Sequence, residues 1–414
     1  MKVLLCHTYY MQRGGEDRSF EEERELLLAH GHRVVEYVRR NDELAAMNPL
    51  AAAKKTLWNG AAGRDVAELI RRERPDVLHA TNTFPLISPA VCHVAHRHGV
   101  AVVQALRNYR LLCANSYLMR DGRPCEACVG RTIPWPAIRH GCYRDSAAAT
   151  AVVAGMQMLH RTLGVWRRKV DAFFTLTHFA REKFVSAGLP PERIHVKYNS
   201  VSEPGRLGPG DGGYLVFAGR LSPEKGVATL LEAWKQDASL PSLKVAGDGP
   251  LAPAVQAAAA ADSRIQWLGQ VPTAQVSRVI GGATALVMPS VWYETFGRTI
   301  AEAFAAGTPV IASNLGAMAE LVAHGRTGRL FEPGSAAALA AQVRRLAMTS
   351  PAELTAMRAA ARREYQSRYT PEHNYARLLD IYEMARASAE ARRRQRERQD
   401  RTFAAKPSPE AVPT

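Results

Sequence analysis

Two cations and two carboxylates in the second half of the chain each follow an apolar, strand-like run and stand beside glycines. Arg220 and Lys225 lie in "GRLSPEKG" after "YLVFA", and Glu294 and Glu302 lie in "ETFGRTIAE" after "ALVMPSVWY". A guanidinium and an ammonium can neutralise the same anionic group. Glycine lets a backbone come close to a ligand, and the amides that open the predicted helix "RTIAEAFAAG" attract phosphate.

Two further glycine-containing loops follow predicted strands. "GDGP" follows "LKVA" in the second half, and "RGGED" follows the first strand of the chain and opens a helix. Alone, each loop is an ordinary turn and each charge an ordinary surface charge. The carboxyl ends of parallel strands share one edge of a sheet, so the loops after them meet at one cleft. Four loops at such edges, two with cations and one with paired carboxylates, predict a site for a nucleotide diphosphate and a polyol.

Strand-like and helix-like segments alternate along the chain. The first half begins with the strand "KVLLCHT" and the helix "EDRSFEEERELLLAH", and the alternation restarts after the linker "SEPGRLGPGDGG". This pattern is typical of parallel sheets covered by helices on both faces. The predicted fold class is therefore α/β, with two doubly wound Rossmann-like domains that face a central cleft. The predicted segments are a first domain at 1–205 with an insertion at about 107–146, a second domain at 206–370, a C-terminal helix at 371–388 that crosses back to the first domain, and a basic disordered tail at 389–414.

The composition is that of a globular protein of two or three domains. The 414 residues are 47% apolar and 22% charged. No uncharged apolar run of about 18 residues occurs, and the first apolar run is too short for a signal peptide, so we expect a cytoplasmic protein. The net charge is +15, part of it in "ARRRQRERQDR" near the C-terminus. That segment is either a solvated tail or a contact for an anionic membrane surface, and no nucleic-acid-binding motif accompanies it.

The motifs "GRLSPEKG", "AGDGP" and "PSVWYETFGRTIAEAFAAGTPVIASNLGAMAELV" resemble the donor-binding half of the family 4 glycosyltransferases. "RGGED" is similar to the first glycine loop of that family, and the resemblance covers about residues 1–385. It implies the GT-B fold, retention of anomeric configuration, a UDP- or GDP-sugar donor, and no metal in catalysis. The implied acceptor is a glycan or a lipid-linked saccharide at the cytoplasmic membrane face.

The resemblance also implies roles for individual residues. Arg220 and Lys225 would hold the donor diphosphate and neutralise the leaving group, which agrees with the need to stabilise that charge. Glu294 would contact the donor sugar, and Glu302 would bind the nucleotide ribose. The other implied donor contacts come from the backbone and from the first glycine loop: Phe296, Gly297, Arg298, Thr299, Gly14 and Gly15.

One position departs from the pattern of the family. Many relatives carry a histidine near the reacting sugar, after the strand that precedes the insertion. Here "ALRNYRLLC" has Arg107 and Asn108 at that place. Either one of these two residues replaces the contact, or a histidine such as His79 or His178 supplies it.

The predicted insertion contains four cysteines with the spacing C-x11-C-x2-C-x13-C. Such spacing favours a structural zinc ion, which would fix a loop too polar to pack alone, with His140 as a substitute ligand. Reduced thiols without a ligand, disulfides or another cluster are the alternatives, and disulfides are disfavoured in a cytoplasmic chain. Cys6 and Cys92 are expected to be buried thiols. We expect the insertion to shape the acceptor site. The four clustered cysteines are Cys113, Cys125, Cys128 and Cys142.

Two functions from other classes compete with a glycosyltransferase. A zinc- and nucleic-acid-binding protein would use the cysteines and the basic charge, but it would leave the phosphate and carboxylate loops without a purpose. A non-catalytic sensor of sugar nucleotides would keep the same fold, and only a turnover measurement excludes it.

Overall fold

Two parallel sheets, one from each half of the chain, form the framework of the protein. The computed structural model describes residues 1–11, 14–204 and 207–404, without the side chains at 273–274 and 400–404. The predicted boundary at 205 and 206 and the end of the predicted tail, 405–414, lie outside the described residues. Helices pack on both sheets, which confirms the predicted doubly wound α/β class.

The first half of the chain forms one six-stranded parallel sheet and a small hairpin. Its strands are β1 (Lys2–Tyr9), β2 (Arg33–Arg40), β3 (Val77–Asn82), β4 (Ala101–Leu106), the hairpin strands β5 (Met119–Arg120) and β6 (Arg123–Pro124), β7 (Ala172–Thr175) and β8 (Ile194–Val196). Its helices are α1 (Gly15–Ala29), α2 (Pro49–Leu57), α3 (Gly60–Glu73), α4 (Ala90–Arg97), α5 (Trp135–Arg139), α6 (Ala147–Thr162) and α7 (His178–Ser186). The strand order is β2-β1-β3-β4-β7-β8. β3 and β4 are buried along their whole length, as strands covered on both faces must be.

The second half of the chain repeats this plan. Its strands are β9 (Tyr214–Ala218), β10 (Ser242–Ala246), β11 (Ile265–Gly269), β12 (Ala285–Met288), β13 (Val310–Ser313) and β14 (Gly328–Phe331). Its helices are α8 (Val227–Gln236), α9 (Ala252–Ala261), α10 (Thr273–Gly282), α11 (Arg298–Ala305), α12 (Gly316–Leu321), α13 (Ala336–Ala347), α14 (Pro351–Arg368) and α15 (Pro371–Ala404). The parallel order β11-β10-β9-β12-β13-β14 reverses direction at β9, so the loops after β9 and β12 flank the crevice where such sheets bind ligands.

The last helix returns to the first sheet. α15 packs against β4, β7 and α1. Tyr382 of this helix is fully buried, and its hydroxyl hydrogen-bonds Nδ1 of His79 on β3 at 2.8 Å. The helix therefore completes the core of the first domain.

The structure corrects the predicted length of this helix. α15 continues to Ala404, so the segment predicted to be disordered from residue 389 is helical to that point. Arg392 forms an ion pair with the buried Asp171, and the Arg393 stem lies against Gly99. These contacts with the first domain add tertiary stability that a composition rich in arginine does not reveal.

No helix within the described ranges is both long enough and apolar enough to cross a lipid bilayer.

Candidate active site

A cleft of about 1150 Å³ lies at the carboxyl ends of both sheets. On the first-domain side it is lined by residues after β1, β4 and β8, and on the second-domain side by residues after β9 and β12. The structure therefore brings most of the residues singled out in the sequence to one place. The predicted residues that line this cleft are Gly14, Gly15, Arg220, Lys225, Glu294, Phe296, Gly297, Arg298 and Thr299.

The loop after β9 is docked closely on the loop after β12. Gly226 ends the first loop in the left-handed region, at φ 71°, and a Cβ atom there would stand 1.8 Å from the carbonyl oxygen of Pro289. The amide of Val291 also donates to the carbonyl of Glu224 at 3.0 Å. Only glycine allows this approach, which carries Lys225 to the end of β12.

Lys225 and Glu294 form a close ion pair at the wall of the cleft. The Lys225 Nζ lies 2.6 Å from Glu294 Oε1, and the Ser290 hydroxyl donates to the same oxygen at 2.8 Å. The Glu294 side chain is only 7% exposed, so these bonds hold it in one orientation. Arg220 is exposed in the same cleft, and among the described residues no carboxylate pairs with it. The wall thus offers an unpaired guanidinium and a fixed carboxylate side by side.

The start of α11 adds backbone donors. Gly297 precedes the helix with φ 85°, and the amide of Ile300 donates back to its carbonyl at 2.9 Å. The first amides of a helix have no partner inside the helix, so those of Arg298 and Thr299 are free to bind an anion. Both residues line the cleft.

Glu302 lies outside the cleft, unlike the other residues predicted to bind the donor. Its Oε1 accepts from Arg298 Nε at 3.1 Å and lies 3.6 Å from Nη1 of Arg18 on α1. A ribose could reach this carboxylate only if it shared or displaced these arginines, so the ribose contact stays a prediction.

Glu16, which was not among the predicted site residues, lies in the first turn of α1 and lines the cleft. Its carboxylate accepts two bonds from Asn108 Nδ2, at 2.9 and 3.1 Å, and one from the Tyr10 hydroxyl at 3.2 Å. Burial raises the pKa of Glu16, while the Asn108 hydrogen bonds oppose that rise. The only signal in the sequence was its place between the paired glycines and Asp17.

Two of the four residues considered as replacements for the family histidine lie in the cleft. Neither His79 nor His178 lies among the described residues that line the cleft, whereas Arg107 and Asn108 both do. His79 is fully buried, and burial lowers its pKa to about 3. Both side chains already have partners, since the Arg107 guanidinium is bound to Glu23 and Asn199 and the Asn108 amide to Glu16.

The cysteine-containing insertion forms part of the cleft wall. The ring of Tyr117 meets the ring of Trp292 edge to face, with centroids 4.9 Å apart, which joins the insertion to the second domain. Arg110, Tyr143 and Cys142 of the same segment also line the cleft. The expectation that the insertion shapes the acceptor site stays a prediction.

All six cysteines are free thiols, and Cys6 and Cys92 are buried, as expected. Burial, together with the neighbouring thiols, raises the pKa of Cys128 to about 11 and also raises that of Cys142. Within the described part of the chain, no three or more His, Cys, Asp or Glu side chains are arranged to hold a metal ion. The structure does bring the four predicted ligands, Cys113, Cys125, Cys128 and Cys142, near enough to one another for their thiols to interact. The zinc site, with His140 as a substitute ligand, stays a prediction.

Two family models match successive parts of the chain. The glycosyl transferase 4-like domain matches residues 13–200, and the glycosyl transferases group 1 model matches residues 212–349. An uncharacterised 42.6 kDa protein of the cps region of Klebsiella pneumoniae is 24% identical, over 78% of this chain and 87% of that protein. The D-inositol 3-phosphate glycosyltransferase of Jonesia denitrificans is 33% identical over 43% of this chain. The alpha-maltose-1-phosphate synthase of Mycolicibacterium smegmatis is 33% identical over 34% of this chain. The chain spans only 45% and 43% of the lengths of the last two relatives.

Solved structures give the same fold. Anabaena HepE in complex with UDP superimposes with a TM-score of 0.66 at 17% identity, over 92% of this chain and 99% of that one. The sucrose-phosphate synthase of Thermosynechococcus elongatus gives 0.69 at 17% identity, over 94% of this chain and 99% of that one. At this identity the likeness to the solved structures concerns the fold alone. The family models match the regions of both halves that contain the motifs. The chain belongs to the family 4-type glycosyltransferases and has the GT-B fold.

Proposed function

We propose that this glycosyltransferase moves a sugar from a UDP- or GDP-sugar to a saccharide acceptor, with retention of anomeric configuration. The observation that carries the proposal is the grouping of Arg220, the Lys225–Glu294 pair and the start of α11 in one cleft. The complex of Anabaena HepE with UDP supports a nucleotide donor. No metal is needed in this proposal, because protein cations and helix amides supply the positive charge.

Each group then has a physical task. Arg220 and the first amides of α11 bind the diphosphate, and Lys225 lies close enough to share it. Breaking the anomeric bond places negative charge on the leaving diphosphate, which fixed cations stabilise. Both described bonds to Glu294 are made to Oε1, so its Oε2 is available to a hydroxyl of the donor sugar.

Retention is the part of the proposal that rests on the family resemblance. Proton NMR of the product formed from an α-linked donor tests it directly. An α-linked product supports retention, and a β-linked product contradicts it.

The proposal includes contact with an anionic membrane surface, where a lipid-linked saccharide would be presented. Five basic side chains form what we call the basic surface of the first domain, at the end of α4, at residues 168–169 and on the second half of α15. Burial lowers the pKa of Lys169, and the nearby Arg168 and Arg396 lower it further. These clustered charges support binding to anionic lipid, which cosedimentation with vesicles tests. The residues of the basic surface are Arg97, Arg168, Lys169, Arg393 and Arg396.

Thermal unfolding with UDP, GDP and ADP, and with their sugar conjugates, tests the donor site. A ligand at 100 times its Kd adds about 2.7 kcal/mol of stability, so one nucleotide should raise the Tm visibly. Arg220→Ala should lose this shift, because it removes the unpaired cation. The matched control is Arg345→Ala, an exposed arginine of α13, which should keep the shift.

The companion variant Glu294→Ala should keep the nucleotide shift and lose sugar transfer, since its proposed contact is with the donor sugar. Unchanged turnover in that variant would contradict the role given to Glu294. If no nucleotide stabilises the wild-type protein, the proposed donor class is wrong.

A further inference from the structure

The first-domain wall of the cleft holds a carboxylate to which the proposed function gives no role, although the neighbouring Gly14 and Gly15 are implied donor contacts. The proposed diphosphate contacts all belong to the second domain, whereas Glu16 belongs to α1 of the first. It is half-buried, and the groups that bond it are an amide, from Asn108, and a phenol, from Tyr10. Glu294 and Glu23, by comparison, are bonded by cations.

The bonds to Glu16 belong to a rigid assembly. The Oδ1 atom of Asn108 accepts from the backbone amide of Arg110 at 2.9 Å, which sets the direction of its NH₂ group. The Arg110 guanidinium lies 4.3 Å from the centre of the Phe84 ring and 5.2 Å from that of Tyr143. Cation–π contacts on two rings hold this arginine in place. The carboxylate is therefore oriented before any ligand arrives.

The same assembly surrounds the carboxylate with the surfaces that sugars bind. Phe84, Arg110 and Tyr143 line the cleft together with Glu16. The Arg110 guanidinium covers one face of the Phe84 and Tyr143 rings and can donate to a sugar hydroxyl, while the fixed carboxylate accepts hydrogen bonds from such hydroxyls. A carboxylate with four acceptor positions and three bonds in the described structure keeps capacity for a further donor.

We propose that Glu16 is an acceptor-binding residue, whose carboxylate accepts a hydrogen bond from a hydroxyl of the acceptor saccharide while Asn108 and Tyr10 hold it in position. This inference rests on the proposed function and names the part of the cleft where the acceptor binds. It makes no use of Arg220 or Lys225, so donor binding and acceptor binding are separable. The part of the acceptor bound at Glu16 is a neutral sugar, because a carboxylate repels an anionic group.

The experiment measures transfer and donor hydrolysis in parallel. Wild-type protein is given the nucleotide sugar that stabilises it, with water alone or with p-nitrophenyl glycosides of glucose, galactose, mannose, rhamnose and N-acetylglucosamine as acceptors. Glu16→Gln should raise the acceptor KM about tenfold or more, since it removes a charge-assisted hydrogen bond. The donor KM and the rate of donor hydrolysis should stay within about twofold of wild type, because the proposed bond is made to the acceptor and not to the donor.

Two further variants separate a binding role from a structural one. Glu16→Asp keeps the charge and should recover part of the acceptor affinity. Glu25→Gln removes a carboxylate of the same helix that is 70% exposed, and it should leave both KM values unchanged. Asn108→Ala should raise the acceptor KM in the same direction as Glu16→Gln, and the two effects should not add, because both act on one bond.

Other results would contradict the acceptor role of Glu16 or the function on which it rests. An unchanged acceptor KM in Glu16→Gln overturns the inference, and a rise in the donor KM instead assigns Glu16 to the donor. A wild-type protein that hydrolyses the donor but glycosylates none of the five glycosides overturns the acceptor class. Absence of both nucleotide binding and hydrolysis in the wild type is a failure of the proposed function itself.

Discussion

Glu23 anchors a cluster of charges buried behind the cleft wall. Its Oε1 atom is in contact with Lys197 Nζ and lies 2.6 Å from Nη2 of Arg107. The three side chains are at most 5% exposed. Burial raises the pKa of Glu23, but Arg107 and Lys197 more than offset this and hold the pKa well below its usual range. One carboxylate therefore balances two buried cations, one of which lines the cleft.

We predict that Glu23→Gln lowers the free energy of unfolding by about 3–5 kcal/mol, because it leaves buried cations without a counter-ion. Urea denaturation measures the loss. Glu25→Gln on the same helix is the control, and its exposed side chain should change stability by less than about 0.5 kcal/mol. A Glu23→Gln protein as stable as that control would contradict this account of the cluster.

The sign of the pH dependence follows from the same cluster. Folding lowers the pKa of Glu23, so the folded state binds this proton more weakly than the unfolded state. The stabilisation is complete above the unfolded-state pKa of about 4.3 and declines as the pH falls below it. Glu23→Gln should flatten this part of the stability profile.

The predicted residues that line the second-domain side of the cleft share one property. Arg220, Lys225 and Glu294 follow strands of a single sheet, so strand ends and one obligatory glycine place them with little help from distant parts of the chain. Glu16 was missed because its partner Asn108 is 92 residues away and no local pattern connects them. Local spacing therefore predicted the second-domain wall of the cleft better than the first-domain wall.

At the scale of whole elements, alternation of strands and helices predicted both sheets, while the length of α15 depended on contacts that the sequence does not display. α15 is longer than predicted because Arg392 forms an ion pair with the buried Asp171, which lies in the first domain just before β7. The cysteine spacing suggested a metal site, but a spacing fixes neither the backbone path between the thiols nor their directions. Tertiary contacts decided the length of α15, while the metal site stays a prediction.

The basic surface leads to a prediction about α15. Arg393→Gln with Arg396→Gln should weaken binding to phosphatidylglycerol vesicles about 30-fold, since each basic residue near such a surface contributes about 1 kcal/mol. Both side chains are exposed, and glutamine keeps the γ and δ carbons with which Arg393 lies against Gly99, so the fold should be unaffected. Cosedimentation at low and high salt measures the binding, and Arg71→Gln with Arg345→Gln is the control with equal charge loss. Equal binding by the two double variants, or strong binding of wild type to phosphatidylcholine alone, would rule out this surface.

At the scale of the whole molecule, the two domains are joined across the cleft by a network of charges. The Arg298 guanidinium of the second domain binds both oxygens of Glu22 on α1, at 2.7 and 2.8 Å, and its Nε binds Glu302 at 3.1 Å. Arg18 on α1 bonds Glu22 at 3.0 Å and lies near Glu302. A second contact is made by Glu320 on α12, whose carboxylate accepts from the first two amides of α7 at 3.0 and 2.8 Å. A bidentate pair that is partly buried contributes more than an exposed one, so the first contact helps to hold the cleft in its present width.

Charge reversal tests whether this network sets the distance between the domains. Glu22→Arg alone or Arg298→Glu alone should open the nucleotide-free protein, because each places like charges across the cleft, whereas the two together restore an attractive pair. Small-angle scattering should then give a radius of gyration above the roughly 22 Å expected of a compact chain of this length for each single variant, and a return towards wild type for the double variant. Glu25→Arg makes the same charge change at an exposed site of the same helix and should leave the radius unchanged. If the single variants scatter like wild type, the domains are held by Glu320 and the packed rings at Trp292, and the bidentate pair serves instead to position Arg298 and Glu302 for the donor.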